Sequence, residues 1–219
     1  MKQILVAVAL VMVGLVPGVS HAANFFIDNF NGENGGATQL DYTAFAKWTV
    51  SNGSVDLIGE GGPFDFFPPG HGLYVDLDGT LGIPNAGDMT SNLLALGTGT
   101  YELTFELAGS QRDNPLDIPP NELTYGVDLD NSGGLNGGEI STVSLSTFDP
   151  FTVQTVPFTL SSPQSIRIIF SHSGGDKIGM ILDNVSVDSK ASIPEPASLM
   201  LLGAGLAAIG IWRRKAAKV

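Results

Sequence analysis

The chain has no cysteine among its 219 residues. This excludes a disulfide scaffold, a thiolate zinc site and a cysteine nucleophile. Basic residues are also few, with 10 Lys and Arg against 22 Asp and Glu, which gives a formal net charge of −12. Because phosphate contacts need clustered Lys and Arg, this composition argues against nucleic acid as a partner. The hydrophobic fraction of 43% is ample for a folded core.

The first 22 residues have the pattern of a secretory signal peptide. Lys2 is followed by an apolar run over residues 4–16, and small residues then lead to Ala22. A positive start, an apolar stretch and small residues at positions −3 and −1 predict export, with cleavage after Ala22. We therefore expect residues 1–22 to be removed.

The C-terminal end combines a Pro-Glu-Pro tripeptide, an uncharged apolar stretch and a basic cluster, in that order. These features occupy Pro194, Glu195 and Pro196, then residues 197–212, then Arg213 and Arg214. A helix of this length spans ~24 Å, close to the ~30 Å hydrocarbon core of a bilayer. The pattern predicts one membrane-spanning helix whose basic end is cytoplasmic.

This tail resembles the PEP-CTERM sorting signal of Gram-negative bacteria, and we assign residues 192–219 to it. The resemblance implies export across the inner membrane, with the helix as a transient inner-membrane anchor. It also implies that an exosortase, a membrane protease-transpeptidase, acts near the Pro-Glu-Pro. The expected destination is the cell surface or an extracellular matrix that contains exopolysaccharide. The same tail is sometimes called an ice-binding protein C-terminal domain, which says nothing about the rest of the chain.

Residues 23–191 remain as one predicted domain. The two ends hold five of the ten basic residues but only one acidic residue, so residues 23–193 carry 5 basic and 21 acidic residues, a formal charge of −16. Turn signals recur along this body, and residues 100–108 alternate strictly between apolar and polar side chains. This spacing predicts an all-β, antiparallel β-sandwich of the jelly-roll type with about ten strands. The predicted strands cover residues 24–30, 47–50, 54–58, 72–77, 100–108, 123–129, 140–145, 151–160, 166–170 and 177–187.

The body also resembles the galactose-binding-like jelly rolls found in many carbohydrate-binding modules. The resemblance lies in residues 48–58, 72–80, 101–105 and 182–187, the last of which reads Leu-Asp-Asn-Val-Ser-Val. It is diffuse and implies the fold more strongly than any ligand, since sites are grafted onto folds.

Residues 128–139 match a twelve-residue calcium-binding loop position by position. Oxygen-bearing side chains occupy positions 1, 3, 5, 9 and 12, and a glycine occupies position 6. The predicted ligands are Asp128, Asp130, Ser132, the Gly134 carbonyl, Asn136 and Glu139. Strand-like sequences flank the loop on both sides, so a calcium site here would connect two strands. An Asx-rich hairpin turn without a metal is the alternative.

Two further acidic positions are candidates. Alternation places Asp183 on an apolar strand face with Ile181, Val185 and Val187, where a carboxylate needs a partner or a metal. In similar jelly rolls a structural calcium links the final strand to an early loop, which implies Asp28, Asn29 and Glu33 as candidate early ligands, with Asp28 as the second ligand beside Asp183. Alternatively, Asp183 caps a turn at the edge of the strand. An Asp-x-Asp-Gly sequence at residues 76–79 is expected to be a solvated turn.

The loop at residues 62–72 holds three phenylalanines among prolines and glycines. Sugar rings stack on aromatic faces, so Phe64, Phe66, Phe67 and His71 are candidate glycan contacts. The alternative is that the phenylalanines are buried in the core, as large apolar groups usually are.

No catalytic motif is present. The sequence lacks G-x-S-x-G, H-E-x-x-H and a P-loop. Glu102 and Glu106 are about 13 Å apart on one strand, beyond the ~5–9.5 Å of glycosidase carboxylate pairs. We expect a non-enzymatic surface protein that binds exopolysaccharide or another glycan and is stabilised by calcium. The alternative is a structural matrix protein without a small ligand, whereas ice binding and glycan hydrolysis have less support.

Overall fold

The computed structural model describes residues 24–62, 64–80, 85–113 and 121–190. The predicted signal peptide, the Ala22 cleavage site and the whole C-terminal sorting signal lie outside these residues. Ala23–Lys190 form one compact unit. Among the described residues, no helix is long and apolar enough to span a membrane.

Twelve strands run through the described part of the chain. They are β1 (Asn24–Asp28), β2 (Trp48–Ser51), β3 (Asp56–Gly59), β4 (Leu73–Asp76), β5 (Asp88–Ser91), β6 (Leu94–Leu96), β7 (Gly99–Ala108), β8 (Glu122–Asp128), β9 (Ile140–Ser144), β10 (Thr152–Leu160), β11 (Gln164–His172) and β12 (Ile181–Ser189). Two short 3₁₀ turns, Glu33–Gly36 and Gly137–Glu139, are the helical elements of these residues.

The strands form two six-stranded antiparallel sheets. Sheet A has the order β10-β7-β12-β4-β3, with β1 also paired to β12, and sheet B has the order β2-β5-β11-β8-β9, with β6 also paired to β11. The predicted antiparallel β-sandwich is therefore confirmed. All ten predicted strands are present, although several begin or end a few residues away from the predicted bounds.

The core lies between the inner faces of the two sheets. In β7, Tyr101, Leu103 and Phe105 are buried, while Glu102 and Thr104 between them are only half-buried. The ring of Phe105 in sheet A contacts the rings of Tyr125 and Phe170 in sheet B, with both centroid distances at 4.9 Å. Each fully buried side chain of this size stabilises the fold by ~1.5–3 kcal/mol.

The first strand pairs with the last one. Asn24 of β1 lies opposite Asp188 of β12, and Phe26 lies opposite Val187. The Lys190 amide donates to the Thr100 carbonyl at 2.8 Å, which fixes the chain just beyond β12. The first and the last strand of the sandwich therefore lie side by side in sheet A.

Candidate functional site

The acidic loop at residues 128–139 connects two neighbouring strands of sheet B. It begins at the last residue of β8 and ends in the 3₁₀ turn that leads into β9. The flanking elements are strands, as the sequence predicted. Asp128 is fully buried, whereas Asp130 is exposed.

Three carboxylates of this loop lie close together. One oxygen each from Asp128, Asp130 and Glu139 falls within 4.8 Å of the other two. Two oxygens on opposite sides of a calcium ion, at ~2.3–2.6 Å from it, would be ~4.6–5.2 Å apart. The spacing of the three carboxylates therefore fits a calcium-sized ion.

The other three predicted ligands belong to the same ring of polar atoms. The Ser132 hydroxyl donates to the Gly134 carbonyl at 3.0 Å and accepts from Asn136 Nδ2 at 2.8 Å. Asn136 Nδ2 also lies 3.4 Å from Asp130 Oδ2. The amide nitrogen of Asn136 thus faces the ring, and this side chain would have to turn over to offer its oxygen to a cation.

Backbone amides also hold these carboxylates in place. Asp128 accepts from the amides of Ser132 and Gly133 at 3.1 and 2.9 Å, and Glu139 accepts from those of Leu129 and Asn136 at 2.8 and 2.9 Å. Hydrogen bonds from Ser132 lower the pKa of Asp130. The loop is thus a defined turn held by hydrogen bonds, and a carboxylate oxygen that accepts one amide keeps a lone pair for a metal.

The structure corrects the predicted grouping of Asp183 with Val185 and Val187. A β-bulge lies in β12 between Asp183 and Ser186, where Asn184 takes a φ of 49°. An extra residue in one strand shifts the alternation by one position. Val185 and Val187 therefore belong to the inner core, while Asp183 lies opposite Glu106 on the outer face of sheet A, which it shares with Ile181 as predicted.

Asp183 lies among other carboxylates. It is only 2% exposed, and burial, together with the charges of Glu106 and Asp28, raises its pKa to about 7 even though the Asn184 amide donates to it. Among the described residues, Asp183 takes part in no ion pair. A buried carboxylate of this kind either holds a proton near neutral pH or binds a cation.

Asp28 already has protein partners. Its Oδ2 accepts from the indole nitrogen of Trp48 at 2.8 Å, and Oδ1 accepts from the Phe30 amide at 3.1 Å and lies 3.9 Å from the Lys47 ammonium. These bonds tie β1 to β2, one strand from each sheet. A second calcium site at Asp28 and Asp183 therefore remains a prediction.

The aromatic loop lies against the outer face of sheet A. Ile58, Tyr74, Ala108 and Ile181 form a small buried cluster on that face, separate from the main core. Phe66 and Phe67 from the loop, and Phe151 from the segment before β10, pack against it. We call Phe64, Phe66, Phe67, His71 and Phe151 the aromatic patch.

Three rings of the aromatic patch lie in mutual contact. The Phe67 and Phe151 centroids are 4.4 Å apart, and the His71 ring lies 5.3 Å from Phe67 and 5.6 Å from Phe151, stacked on the latter. His71 is exposed, whereas Phe67 and Phe151 are half-buried. Phe64 is 42% exposed and holds a φ of 67°, a left-handed conformation that bulky residues seldom adopt.

The phenylalanines of this loop thus have two roles. Phe66 and Phe67 cover apolar surface, which agrees with the burial alternative, but they do so outside the main core. Phe64 and His71 present their rings to solvent next to them. The contribution of Phe151 was missed, because it lies about 80 residues away along the chain and no local pattern connects it to the loop.

The Asp-x-Asp-Gly sequence is not a solvated turn. Asp76 and Asp78 are each 1% exposed. Asp78 Oδ2 accepts backbone amides from four consecutive residues, with Gly175 at 2.7 Å and Lys177 at 2.9 Å as the shortest. The expectation failed because a segment almost 100 residues further along the chain folds over this turn.

Asp76 binds a partner that the sequence did not indicate. Its carboxylate forms an ion pair with Arg112, whose guanidinium carbon also lies 5.2 Å from the centroid of the Phe66 ring. Burial raises the pKa of Asp76 to about 7, against the lowering effect of Arg112. Arg112 therefore connects the acidic turn to the aromatic patch.

Comparison with known families identifies the C-terminal tail. The PEP-CTERM protein-sorting motif matches residues 192–215. It indicates export and cell-surface sorting in Gram-negative bacteria, with exosortase-type processing. Comparison with curated proteins gives no match.

The solved structures that resemble the sandwich are mainly carbohydrate-binding modules. The cleaved adhesin domain of Lys-gingipain from Porphyromonas gingivalis is 16% identical at a TM-score of 0.49, covering 78% of this chain and 100% of that one. The CBM22-1 xylan-binding domain of Paenibacillus barcinonensis Xyn10C is 11% identical at a TM-score of 0.44, covering 80% and 100%. A carbohydrate-binding module of Cellvibrio mixtus lichenase 5A, solved with cellotriose, is 13% identical at 0.39, covering 71% and 98%. Similarity of this degree says nothing about a ligand of this chain.

Proposed function

We propose that this sorted surface protein is a non-enzymatic glycan-binding protein and that the aromatic patch is its binding surface. The observation that carries the proposal is that two exposed rings lie on packed ones: His71 on Phe67 and Phe151, and Phe64 beside Phe66. Flat rings that are held on one face by packing and are open to solvent on the other suit stacking against the CH faces of sugars. Binding sites commonly combine such apolar surface with a few fixed polar groups.

The loop also supplies fixed polar groups. Asp65 accepts from the Gly61 amide at 2.7 Å and from the Tyr74 hydroxyl at 2.9 Å, and Glu60 accepts from the Gly72 amide at 2.8 Å. Their remaining lone pairs are acceptors for sugar hydroxyls. Because these hydrogen bonds order the loop before a ligand arrives, binding has less conformational entropy to overcome.

Calcium at the acidic loop is the second part of the proposal. The close spacing of the Asp128, Asp130 and Glu139 oxygens supports it. The ion would neutralise part of the negative charge and stiffen the β8–β9 hairpin. Its proposed role is structural, since the loop lies on sheet B and the aromatic patch lies on sheet A.

A glycan array followed by calorimetry tests the binding proposal. The full chain should bind at least one glycan on an array that includes exopolysaccharide from the source bacterium. Phe64→Ala should weaken that binding, whereas Phe25→Ala should leave it unchanged, because Phe25 is equally exposed at 43% but contacts Tyr101 near the opposite end of β7. Retention in the matrix without saturable binding to any glycan would favour a structural matrix protein instead.

A further inference from the structure

Three carboxylates border the aromatic patch. Glu60 and Asp65 lie in the connection between β3 and β4 that also contains Phe64, and Glu60 is exposed. Glu106 is half-buried on the outer face of β7, one same-face position before Ala108, which the patch covers. Residues two apart on a strand are ~6.6 Å apart. We call Glu60, Asp65 and Glu106 the acidic border.

No ion pair among the described residues neutralises the acidic border. The described residues form three ion pairs, which join Lys47 to Asp28, Arg112 to Asp76 and Lys190 to Glu102. None of these pairs involves the acidic border. Arg112, the cation in contact with the patch, is therefore already matched by a buried carboxylate.

Asp183 lies beneath the border, but its pKa of about 7 keeps it protonated at mildly acidic pH, so the charge of the border there comes from Glu60, Asp65 and Glu106. It lies opposite Glu106, and Asn184 Nδ2 donates to Glu106 Oε2 at 2.8 Å and to Asp183 Oδ2 at 3.3 Å. The amide holds the Glu106 carboxylate on the sheet surface. Residues 23–193 contain only 5 basic and 21 acidic residues, so the rest of the body does not offset the negative charge of the acidic border.

These charges select among glycans. A uronic-acid polymer would bring carboxylates against the acidic border, and like charges at an interface oppose binding. A glycan with free amino groups would bring ammonium groups there, while its ring faces still stack on Phe64 and His71. We propose that the aromatic patch takes a glycan that contains amino sugars with free ammonium groups and rejects uronic-acid polymers. This inference rests on the proposed glycan-binding function.

The test compares three oligosaccharides of equal length with the full chain. They are a glucosamine oligomer, its N-acetylated neutral counterpart and an oligogalacturonate, measured by calorimetry at mildly acidic pH and low salt. An exposed ion pair improves affinity by about 1.5- to 5-fold, so three border carboxylates predict about a tenfold preference for the glucosamine oligomer over the neutral one. Oligogalacturonate should bind most weakly. Raising the salt from ~50 mM to ~1 M should remove most of the preference.

Two variants connect the preference to the border. Glu106→Gln keeps an acceptor for Asn184 but removes the charge, and it should weaken glucosamine-oligomer binding about two- to fivefold without affecting the neutral oligomer. Glu122→Gln makes the same change at a half-buried glutamate of sheet B and should change neither affinity.

The outcomes separate this inference from the proposed function. Equal affinity for the charged and neutral oligomers, or tightest binding of oligogalacturonate, would overturn the inference while glycan binding stands. An unchanged preference in Glu106→Gln would likewise show that the border does not set it. Absence of saturable binding to all three oligomers and to exopolysaccharide from the source bacterium would overturn the proposed function, and this inference with it.

Discussion

Asp183 faces Glu106 across strands β12 and β7, and the side chain of Asn184 donates a hydrogen bond to each of their carboxylates. The β-bulge at Asn184 comes directly after Asp183, so Asp183 stays paired with Glu106 while Val185 and Val187 face the main core. Two acidic side chains thereby share one amide on the outer face of sheet A. This charge repulsion can be measured through the stability of the protein.

The first prediction is a pH dependence that arises from Asp183. A carboxyl group whose pKa is raised to about 7 keeps its proton in the folded state at pH values where the unfolded chain has lost it. Between about pH 4 and pH 7 the folded state therefore binds more protons, and the free energy of unfolding falls as the pH rises. Asp183→Asn should flatten this slope and should raise stability at pH 8 by roughly 1–4 kcal/mol in the presence of a chelator.

Urea unfolding at several pH values measures this effect. Asp76 has a similarly raised pKa, so part of the slope should remain in Asp183→Asn. Asp113→Asn, a change at an exposed position, serves as the control and should leave the slope unchanged. Equal slopes in wild type and Asp183→Asn would contradict the prediction.

The second prediction concerns calcium at the acidic loop. Millimolar calcium should raise the melting temperature, because an ion that binds only the folded state stabilises it by mass action. Asp130→Asn should abolish the shift and change the calcium-free melting temperature little, since Asp130 is exposed. Asp128→Asn is a poorer probe, because Asp128 is fully buried and accepts two backbone amides whether or not calcium is bound. An unchanged melting temperature in wild type would eliminate the site.

The third prediction concerns the hydrogen bonds that Asp78 accepts from the backbone amides of residues 175–178. Its carboxylate accepts several amides of residues 175–178, and hydrogen bonds to a charged acceptor contribute ~1.5–3 kcal/mol. Asp78→Asn should lower the free energy of unfolding by roughly 2 kcal/mol and should speed amide hydrogen exchange at those four residues. Asp149→Asn removes a carboxylate that accepts one amide, from Ser146, and should cost less. Unaltered hydrogen exchange at residues 175–178 would show that Asp78 does not hold this segment.

The fourth prediction separates support from contact within the aromatic patch. Phe67→Ala removes ring contacts to Phe151 and Tyr74 and should cost roughly 1–3 kcal/mol of stability, less than a fully buried ring because Phe67 is half-buried. Phe64→Ala should cost below about 0.5 kcal/mol, since the ring is 42% exposed. Urea titrations of both variants measure the difference. Equal costs would show that Phe64 is also a packing residue.

The β-sandwich could be predicted from sequence because alternation reports a strand with one buried face. Residues 100–108 show it clearly, and β7 spans Gly99–Ala108. Strands β5 and β6 were missed, since four and three residues are too few to show a period. The acidic loop could also be predicted, because all its ligand candidates lie within twelve consecutive residues.

The rest depends on contacts between distant parts of the chain. Arg112 reaches Asp76, and Phe151 reaches Phe67, through the order of strands in sheet A, which composition and periodicity do not contain. The grouping of Asp183 with Val185 and Val187 was wrong for a different reason. One inserted residue reverses the alternation, and Asn184 carries no signal that distinguishes a bulge from an ordinary strand position.

The pairing of β1 with β12 sets an order of events for an exported chain. Asn24 finds its partner Asp188 only after 164 further positions have crossed the membrane. Strand β1 therefore lacks its partner until β12 has been exported, and the pairing of these two strands forms last. The sorting motif begins at residue 192, shortly after β12 ends at Ser189. The strand that completes the sandwich and the sorting motif are thereby adjacent along the chain.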